Sequence, residues 1–252
     1  MIIDADCHIS SQRFDALAMT ADDLLREMDR AEVDKALVWL KPPYTRDVRP
    51  ENRAVAEAMR AHPDRLLGFG WTNPRLGREA AEMEIARCFE EYGFYGIKFN
   101  GAQDEYVIDA PEILALIERA AAYRKPIGFH IGADYYENTH PYRLAKIAGR
   151  FPEITFLMIH MGGAGKPALD RSAIEVSRAH PNIVLIGSAI DERPILNAIE
   201  ALGPDRICFG SDMPFNLMHV RLAMYRALLR DHDEEIRAAV MGGTIARVLG
   251  VS

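Results

Sequence analysis

Cysteine is scarce in this sequence, and its scarcity limits what can hold the chain together. Only three cysteines occur, Cys7, Cys88 and Cys208, and they are widely scattered with no CxxC pair. An odd, low count without close spacing excludes a disulfide framework. We therefore expect three reduced thiols, as in a cytosolic protein.

The chain also has few of the features that target or anchor a protein. Its first ten residues, MIIDADCHIS, contain neither a basic n-region nor a long apolar h-region, so they do not resemble a secretory signal. No apolar run approaches the roughly 20 residues that a membrane helix needs. These absences predict a soluble, cytoplasmic protein without a membrane partner.

Positive charge is in deficit. Thirty Lys and Arg residues face 37 Asp and Glu residues, which gives a net charge of −7. A nucleic-acid-binding surface needs clustered Lys and Arg, so nucleic acid is not an expected partner. Hydrophobic residues at 49% and charged residues at 27% are typical of a soluble globular domain. The expected partner is a small-molecule substrate.

Two kinds of segment alternate along the whole sequence. Short apolar runs recur at a spacing of roughly 25–33 residues, the length of one βα unit. Near-continuous apolar runs are typical of parallel strands covered by helices. The eight runs are Met1–Asp4, Lys35–Leu40, Leu66–Trp71, Gly96–Phe99, Pro126–His130, Thr155–His160, Ile183–Ile186 and Ile207–Gly210.

Helical periodicity fills the segments between the runs. Thr20 is the expected N-cap of the first helix, with Asp22 and Asp23 in its first turn. The helical segments are Thr20–Ala31, Glu51–Ala61, Gly77–Tyr92, Ala110–Arg124, Pro141–Arg150, Pro167–Ala179, Glu192–Leu202, His219–Arg230 and Asp233–Leu249.

This alternation predicts an α/β protein, a (β/α)8 TIM barrel formed by a single domain over residues 1–252. The length suits one such barrel, and strict strand–helix alternation favours it. A doubly wound open sheet is the alternative, but no GxGxxG motif follows the first run. No linker or change of composition divides the chain.

Ionisable residues stand where the apolar runs end. Asp6 and His8 follow the first run, and their spacing places both on one side of an extended chain with Cys7 opposite. His130 and His160 end the fifth and sixth runs, and Asp212 follows the eighth. A barrel brings the C-terminal ends of its strands together. Converging Asp and His side chains are suitable ligands for Zn²⁺, Mn²⁺ or Fe²⁺.

These motifs resemble the amidohydrolase superfamily over nearly the whole chain. The resemblance is strongest to the branch that includes small metal-dependent hydrolases and the decarboxylases of aromatic acids and aminocarboxymuconate semialdehyde. Its carriers are IIDADCHI, GFYGIKF, PIGFHIG, FPEITFLMIHMGG and DRICFGSDMPF. The resemblance implies a TIM barrel with one or two divalent metal ions, Zn²⁺ being the first expectation, and it makes a homodimer an expectation too.

The resemblance also implies roles for individual residues. Asp6 and His8 occupy the ligand pair of the first strand, and His130 matches the ligand of the fifth. His160 matches a histidine that binds metal or hydrogen-bonds the substrate. Asp212 matches a metal-bound aspartate that also moves the proton. This sequence departs from the family at Asp6, because the usual motif there is HxH; the decarboxylase branch often has an acidic residue at that position.

Lys98, at the end of the fourth run, has three interpretations. In binuclear members of the family, a lysine there is carbamylated and bridges two metals. Lys98 could instead bind a substrate carboxylate, or form a salt bridge at the mouth of the barrel. Asn100 shares its side of an extended chain.

Weaker candidates for substrate contact lie in the loops after the strands. Arg46 and Arg49 are candidate carboxylate clamps, because arginine pairs bidentately with carboxylates. The others are Tyr44, Trp71, Asn73, Tyr135, Tyr136, Glu137 and His140.

Three functions follow from these patterns. The first expectation is hydrolysis of a small amide, ester or lactone by a metal-activated water, with Asp212 moving the proton and His160, together with Lys98, stabilising the oxyanion. The second is nonoxidative decarboxylation of a small aromatic or unsaturated acid, which Asp6 in place of histidine motivates. The third is an inactive barrel that binds a ligand.

Overall fold

The chain folds into eight parallel strands, each followed by a helix. The structure is a computed structural model, and it describes residues 1–13, 15–42, 47–132, 134–163 and 167–251. Strands β1 to β8 are Ile3–Ile9, Lys35–Leu40, Leu66–Trp71, Gly96–Phe99, Ile127–His130, Phe156–Ile159, Ile183–Ile186 and Ile207–Cys208. Helices α1 to α10 are Ala21–Ala31, Arg49–Ala61, Arg78–Ala86, Pro111–Ala121, Pro141–Arg150, Pro167–Ala179, Glu192–Leu202, Met218–Leu228, Glu234–Ala238 and Thr244–Leu249.

The strands follow one another around the sheet in chain order, β1 to β8, and every neighbouring pair is parallel. The predicted (β/α)8 barrel is confirmed. Thr20 caps α1 as expected: its Oγ1 accepts from the N–H of Asp23, and Asp23 Oδ2 accepts from the N–H of Thr20 at 3.1 Å.

Apolar side chains of alternate strand residues fill the barrel. In β2, Leu37 and Trp39 point into the interior cluster, whereas Val38 and Leu40 join the cluster beneath the helices. This period of two is the expected consequence of the pleat. The barrel is therefore a packed core below, and polar side chains line a cavity at the C-terminal ends of the strands.

Strand β1 carries an irregularity that matters for the site. Its register against β2 shifts between Asp4 and Cys7. Ile3, before the shift, and Ala5, within it, both face the interior. The next residue, Asp6, also contacts interior side chains, and Cys7, after the shift, joins the outer cluster. Strict alternation would send Asp6 outward, so the bulge turns its carboxylate into the barrel. The strand also extends further than the predicted Met1–Asp4, which places Asp6 and His8 inside it.

Backbone hydrogen bonds between β1 and the segment around β8 close the barrel. The N–H of Ala5 donates to the carbonyl of Phe209 at 2.9 Å, the N–H of Asp212 to Asp6 at 2.9 Å, and the N–H of His8 to Met213 at 2.7 Å. β8 itself is only two residues long, shorter than the predicted Ile207–Gly210. The segment beyond Cys208 leaves the sheet and carries Asp212 to the cavity.

The last predicted helix, Asp233–Leu249, is interrupted. α9 ends at Ala238, a wider helical turn follows over Ala239–Gly243, and α10 begins at Thr244. Gly242 adopts extended backbone at φ 175°. A Cβ there would lie 2.7 Å from the carbonyl oxygen of Met1, so only glycine fits against the start of β1.

The end of β3 is held from outside by Asn52 of α2, which is fully buried. Its Oδ1 accepts from the N–H of Trp71 at 3.0 Å, and its Nδ2 donates to the carbonyl of Trp71 at 2.8 Å and to Glu84 at 2.7 Å. Both backbone groups of Trp71 therefore depend on one carboxamide.

We expect Asn52→Ala to lower the free energy of unfolding by about 3 kcal/mol, because it leaves buried backbone groups of Trp71 without partners. Urea denaturation measures this. The control is Asn197→Ala, on the exposed side of α7, which should change stability by less than about 0.5 kcal/mol. Equal effects of the two substitutions would contradict the role assigned to Asn52.

Candidate active site

A cavity of about 200 Å³ opens at the C-terminal ends of the strands, and all the predicted site residues except the fully buried Asp6 line it. This is smaller than the roughly 300–1,000 Å³ of most drug-sized pockets, so it suits a small molecule. Its lining includes His8, Lys98, His130, His160, Asp212 and Phe215. Asn100 also reaches this cavity, as its spacing from Lys98 predicted.

Two carboxylates and two imidazoles meet at the floor of the cavity. Asp6, His160 and Asp212 are buried, and each offers a ligand atom within 4.8 Å of the others. His8 Nε2 lies 3.5 Å from Asp6 Oδ1 and 3.6 Å from Asp212 Oδ1. Side chains 206 residues apart in sequence thus form one polar cluster, a donor set that could hold a divalent cation.

Protein donors engage both oxygens of Asp6. Trp39 Nε1 donates to Oδ1 at 2.9 Å, and Ser188 Oγ donates to Oδ2 at 2.5 Å. Burial alone would raise the pKa of this carboxyl, but His8, Lys98 and His160 outweigh burial and lower it. Asp6 is therefore held as a carboxylate in a place where an isolated acid would be neutral.

Ser188 is a residue of the site that the sequence did not reveal. It is fully buried in the loop after β7, and its Oγ lies 3.0 Å from His160 Nδ1. Since its single hydroxyl proton goes to Asp6, this oxygen accepts from His160 Nδ1–H. Ser188 thereby joins the carboxylate of β1 to the imidazole that follows β6. A serine after a strand is too common to signal this role.

Backbone and side-chain contacts set the orientation of the histidine rings. His8 Nδ1 lies 2.7 Å from the carbonyl of Leu40, which can only accept, so Nε2 is the nitrogen that faces the carboxylates. Burial and Lys98 lower the pKa of His8, but its contacts with Asp212 and Asp6 prevail and raise it.

His130 stands edge-on to His160, with ring centroids 4.7 Å apart. Its Nε2 is buried and has no hydrogen-bond partner among the residues that the structure describes. Burial lowers the pKa of His130 well below its usual value, and the charges of His160 and Lys98 add to this effect. A neutral imidazole with a bare, buried nitrogen beside an anionic cluster is suited to bind a cation or a ligand.

Lys98 lies between two indole rings. Its Nζ is 4.0 Å from the ring centroid of Trp39 and 5.0 Å from that of Trp71. Burial lowers the pKa of Lys98 to about 8, although Asp6 and Asp212 oppose this shift. The salt bridge at the barrel mouth, one of the three interpretations of Lys98, is not formed among the described residues.

Three residues of the cavity wall adopt left-handed backbone. The φ angles are +66° at His160, +51° at Ala189 and +63° at Asp212. Such values are uncommon outside glycine and cost free energy unless the surroundings impose them. The three residues follow β6, β7 and β8. The backbone therefore adopts left-handed φ angles at the positions whose residues line the cavity.

The weaker candidates for substrate contact differ in where the structure places them. Trp71 and Asn73 are buried and both donate to Asp104 at 3.0 Å, so they support the wall near Lys98. Arg49 pairs with Asp47 at 2.7–2.8 Å on the exposed start of α2, which removes it as a carboxylate clamp. Tyr44 and Arg46 lie outside the described residues. The remaining loop candidates, Tyr135, Tyr136, Glu137 and His140, do not line this cavity.

A family model described as amidohydrolase matches residues 3–251. The chain therefore belongs to the amidohydrolase family, as the motifs predicted, and it is an enzyme of that superfamily.

Two curated relatives align with most of the chain. One is 2-amino-3-carboxymuconate-6-semialdehyde decarboxylase of Dictyostelium discoideum, 20% identical, with 95% of this chain and 79% of that protein covered. The other is gamma-resorcylate decarboxylase of Rhodococcus jostii, 24% identical, with 79% and 78% covered. A crystal structure of dihydroxybenzoic acid decarboxylase from Polaromonas, with bound manganese and the inhibitor 2-nitroresorcinol, superposes with a TM-score of 0.77 at 19% identity. It covers 99% of this chain and 96% of that chain, and this likeness shows the fold.

These comparisons overturn the first expected reaction. Hydrolysis of an amide, ester or lactone is the wrong prediction, because the relatives are decarboxylases of unsaturated or aromatic acids. The error has a physical origin: the same barrel, histidines and aspartates serve both reactions, so the ligand motifs alone do not separate them.

The contacts of Ser188 predict a measurable cost of removing its hydroxyl. We expect Ser188→Ala to lower the free energy of unfolding by about 2 kcal/mol, because the buried Asp6 carboxylate loses a donor. The matched control is Ser177→Ala, since Ser177 is equally buried and its Oγ has no partner among the described residues. That variant should be close to neutral in the same urea titration. A neutral Ser188→Ala would remove the proposed link between Asp6 and His160.

Proposed function

We propose that this enzyme is a metal-dependent nonoxidative decarboxylase of a small aromatic or unsaturated carboxylic acid. The observation that carries the proposal is Asp6: an acidic residue replaces the first histidine of the usual motif, and its buried carboxylate lies 3.5 Å from His8 Nε2. The decarboxylase names of both curated relatives support the same reaction.

A divalent metal ion fits the residues at the cavity floor. We assign it to Asp6, His8, His130 and Asp212, which supply two carboxylates and two imidazoles. The unpartnered Nε2 of buried His130 supports this choice, because a bound cation would satisfy it. Ser188 engages Nδ1 of His160, so Nε2 is the nitrogen of His160 that stays open, and we assign it to the substrate. At His8 Nε2, an ion would replace the 3.1 Å contact from Trp39.

The carboxylate-rich donor set suits Mn²⁺ as well as Zn²⁺. The manganese in the Polaromonas decarboxylase structure supports Mn²⁺, so the expectation of zinc stays a prediction. A bound divalent ion would polarise oxygen atoms of the substrate.

The residues of this chain supply the proton and position the substrate. Asp212, at 7% exposure, faces the cavity, and Asn216 Nδ2 donates to its Oδ2 at 3.3 Å. In its acid form Asp212 gives a proton to the carbon that bears the carboxyl group. The bond to the carboxyl carbon breaks, CO2 leaves, and solvent returns a proton to Asp212. His160, fixed by Ser188, positions the carboxyl group before it departs.

The test of the reaction is release of CO2 from a panel of hydroxybenzoates, compared with hydrolysis of a matched panel of esters and lactones. We expect CO2 from at least one acid, loss of that activity after chelation, and recovery with Mn²⁺ or Zn²⁺ at a stoichiometry measured by elemental analysis. Metal-loaded protein that hydrolyses an ester but decarboxylates none of the acids would overturn the proposal.

Asp212→Asn tests the proton donor. The amide cannot deliver a proton, so kcat should fall by about 10²–10⁴-fold, the usual contribution of general acid catalysis. Metal content is measured on the same sample, because Asp212 is also an expected ligand. Loss of turnover with metal retained supports proton transfer, loss of both assigns Asp212 to the metal alone, and an unchanged kcat contradicts both roles.

A further inference from the structure

Lys98 is a buried cation that the metal site leaves unused. It is 1% exposed, yet it lines the cavity. Among the described residues, its Nζ makes no hydrogen bond and no salt bridge; its close neighbours are the two indole rings. A buried ammonium without a polar partner is costly, and here its open side is the cavity that receives the substrate.

The two rings are themselves fixed by polar contacts. Trp39 donates its indole N–H to Asp6, and Trp71 donates its own to Asp104 at 3.0 Å. Asn52 fixes the backbone of Trp71 as well. The faces of both rings are therefore held towards Lys98 before any ligand arrives, which pre-organises the position of the charge.

The ring faces also select the chemical form of the lysine. Aromatic faces carry negative electrostatic potential and attract cations. A carbamylated Lys98 would place an anion against both rings and near the Asp6 and Asp212 carboxylates. An ammonium is favoured instead, so the binuclear, carbamate-bridged interpretation does not fit this lysine.

We infer that Lys98 binds an acidic oxygen that the substrate keeps when CO2 leaves, such as the ionised hydroxyl beside the carboxyl group of a hydroxylated aromatic acid. This inference rests on the proposed decarboxylation and specifies its substrate: an acid with a second acidic oxygen within reach of β4. Such a contact makes Lys98 a catalytic residue.

The electron balance distinguishes this oxygen from the departing carboxylate. The ionised oxygen supplies, through the ring, the electron pair that takes the proton of Asp212 and forms the new C–H bond, and the oxygen becomes a carbonyl. The C–C bond then breaks, CO2 leaves, and the electron pair of that bond returns through the ring to the oxygen. A fixed ammonium beside that oxygen keeps its partner throughout the reaction and stabilises the charge that returns to the oxygen as CO2 leaves. An ammonium on the departing carboxylate would stabilise the ground state and lose its partner as neutral CO2 forms, which raises the barrier.

The experiment compares three ligands on metal-loaded wild type and Lys98→Met, a substitution of similar length without charge. Gamma-resorcylate has both groups, 2-nitroresorcinol keeps acidic hydroxyls without a carboxylate, and benzoate has only the carboxylate. Calorimetry gives the affinities. The chain's two tryptophans are Trp39 and Trp71, so ligand-induced fluorescence changes report directly on the surroundings of Lys98.

We expect Lys98→Met to weaken gamma-resorcylate and 2-nitroresorcinol by about 10–100-fold, the range for a hydrogen bond to a charged group, and benzoate by less than twofold. Lys98→Arg should recover part of the loss. Lys146→Met is the control: this exposed lysine pairs with Asp109 at 2.9 Å on α5 and should leave all three affinities unchanged.

A loss confined to gamma-resorcylate and benzoate would overturn the inference, because Lys98 would then hold the departing carboxylate. Unchanged affinities would overturn it as well. Binding is measured without turnover, so the affinities test the role of Lys98 even if no acid of the panel releases CO2. Failure to release CO2 would count against the proposed function and not against the role of Lys98. Retained metal content in Lys98→Met separates loss of the anion contact from loss of the fold.

Discussion

The hydrogen bonds that join β1 to the segment after β8 are the constraint on which the site depends. They fix Asp6, His8 and Asp212 relative to one another, although Asp212 is far from the other two in sequence. The bulge in β1 leaves an N–H at Asp6 that β2 does not take up, and buried Asp4 accepts it at 3.1 Å while also accepting from Ser211 at 2.8 Å. A slip of one residue in this register would turn the Asp6 carboxylate out of the cavity.

The same closure forces ionisable groups into a small buried volume, where they compensate one another. Asp6 stays ionised because His8, Lys98 and His160 surround it, whereas Asp4, whose main influence is burial, has its pKa raised to about 7. Breaking one member of such a cluster leaves another charge uncompensated. The cluster is thus a poor source of stability, and the apolar barrel below it holds the fold together.

The fold and the main site residues were accessible from sequence because both depend on periodic, local signals. Apolar runs gave the strands, and polar residues at their ends gave His8, His130, His160 and Asp212, which the barrel then brought together. The contacts of Ser188 and Trp39 could not be predicted, because the sequence around a buried serine or tryptophan does not indicate which atoms it will contact across the barrel. The bulge could not be predicted from the sequence either. The i, i+2 spacing predicted that Asp6 and His8 face the same side of β1, but strict alternation would place Ile3 and Ala5 on the other side. Because the register shifts against β2, all four side chains face the barrel interior.

The reaction was harder to predict from the sequence than the fold or the site residues, and Lys98 illustrates the reason. Sequence assigned it a position at the end of β4 and left three interpretations open: a carbamate, a salt bridge or a substrate contact. The choice depends on two indole faces from β2 and β3, and on the hydrogen bonds that fix those rings, all of which are contacts between strands. Hydrolysis needs a charge where a tetrahedral oxyanion forms, at the metal; decarboxylation needs one where the electrons of the broken bond arrive. In the proposed decarboxylation, an ammonium held on β4 meets the second requirement, since Asp212 delivers the proton to the carbon that bears the carboxyl group while Lys98 holds the charge on the oxygen beside it.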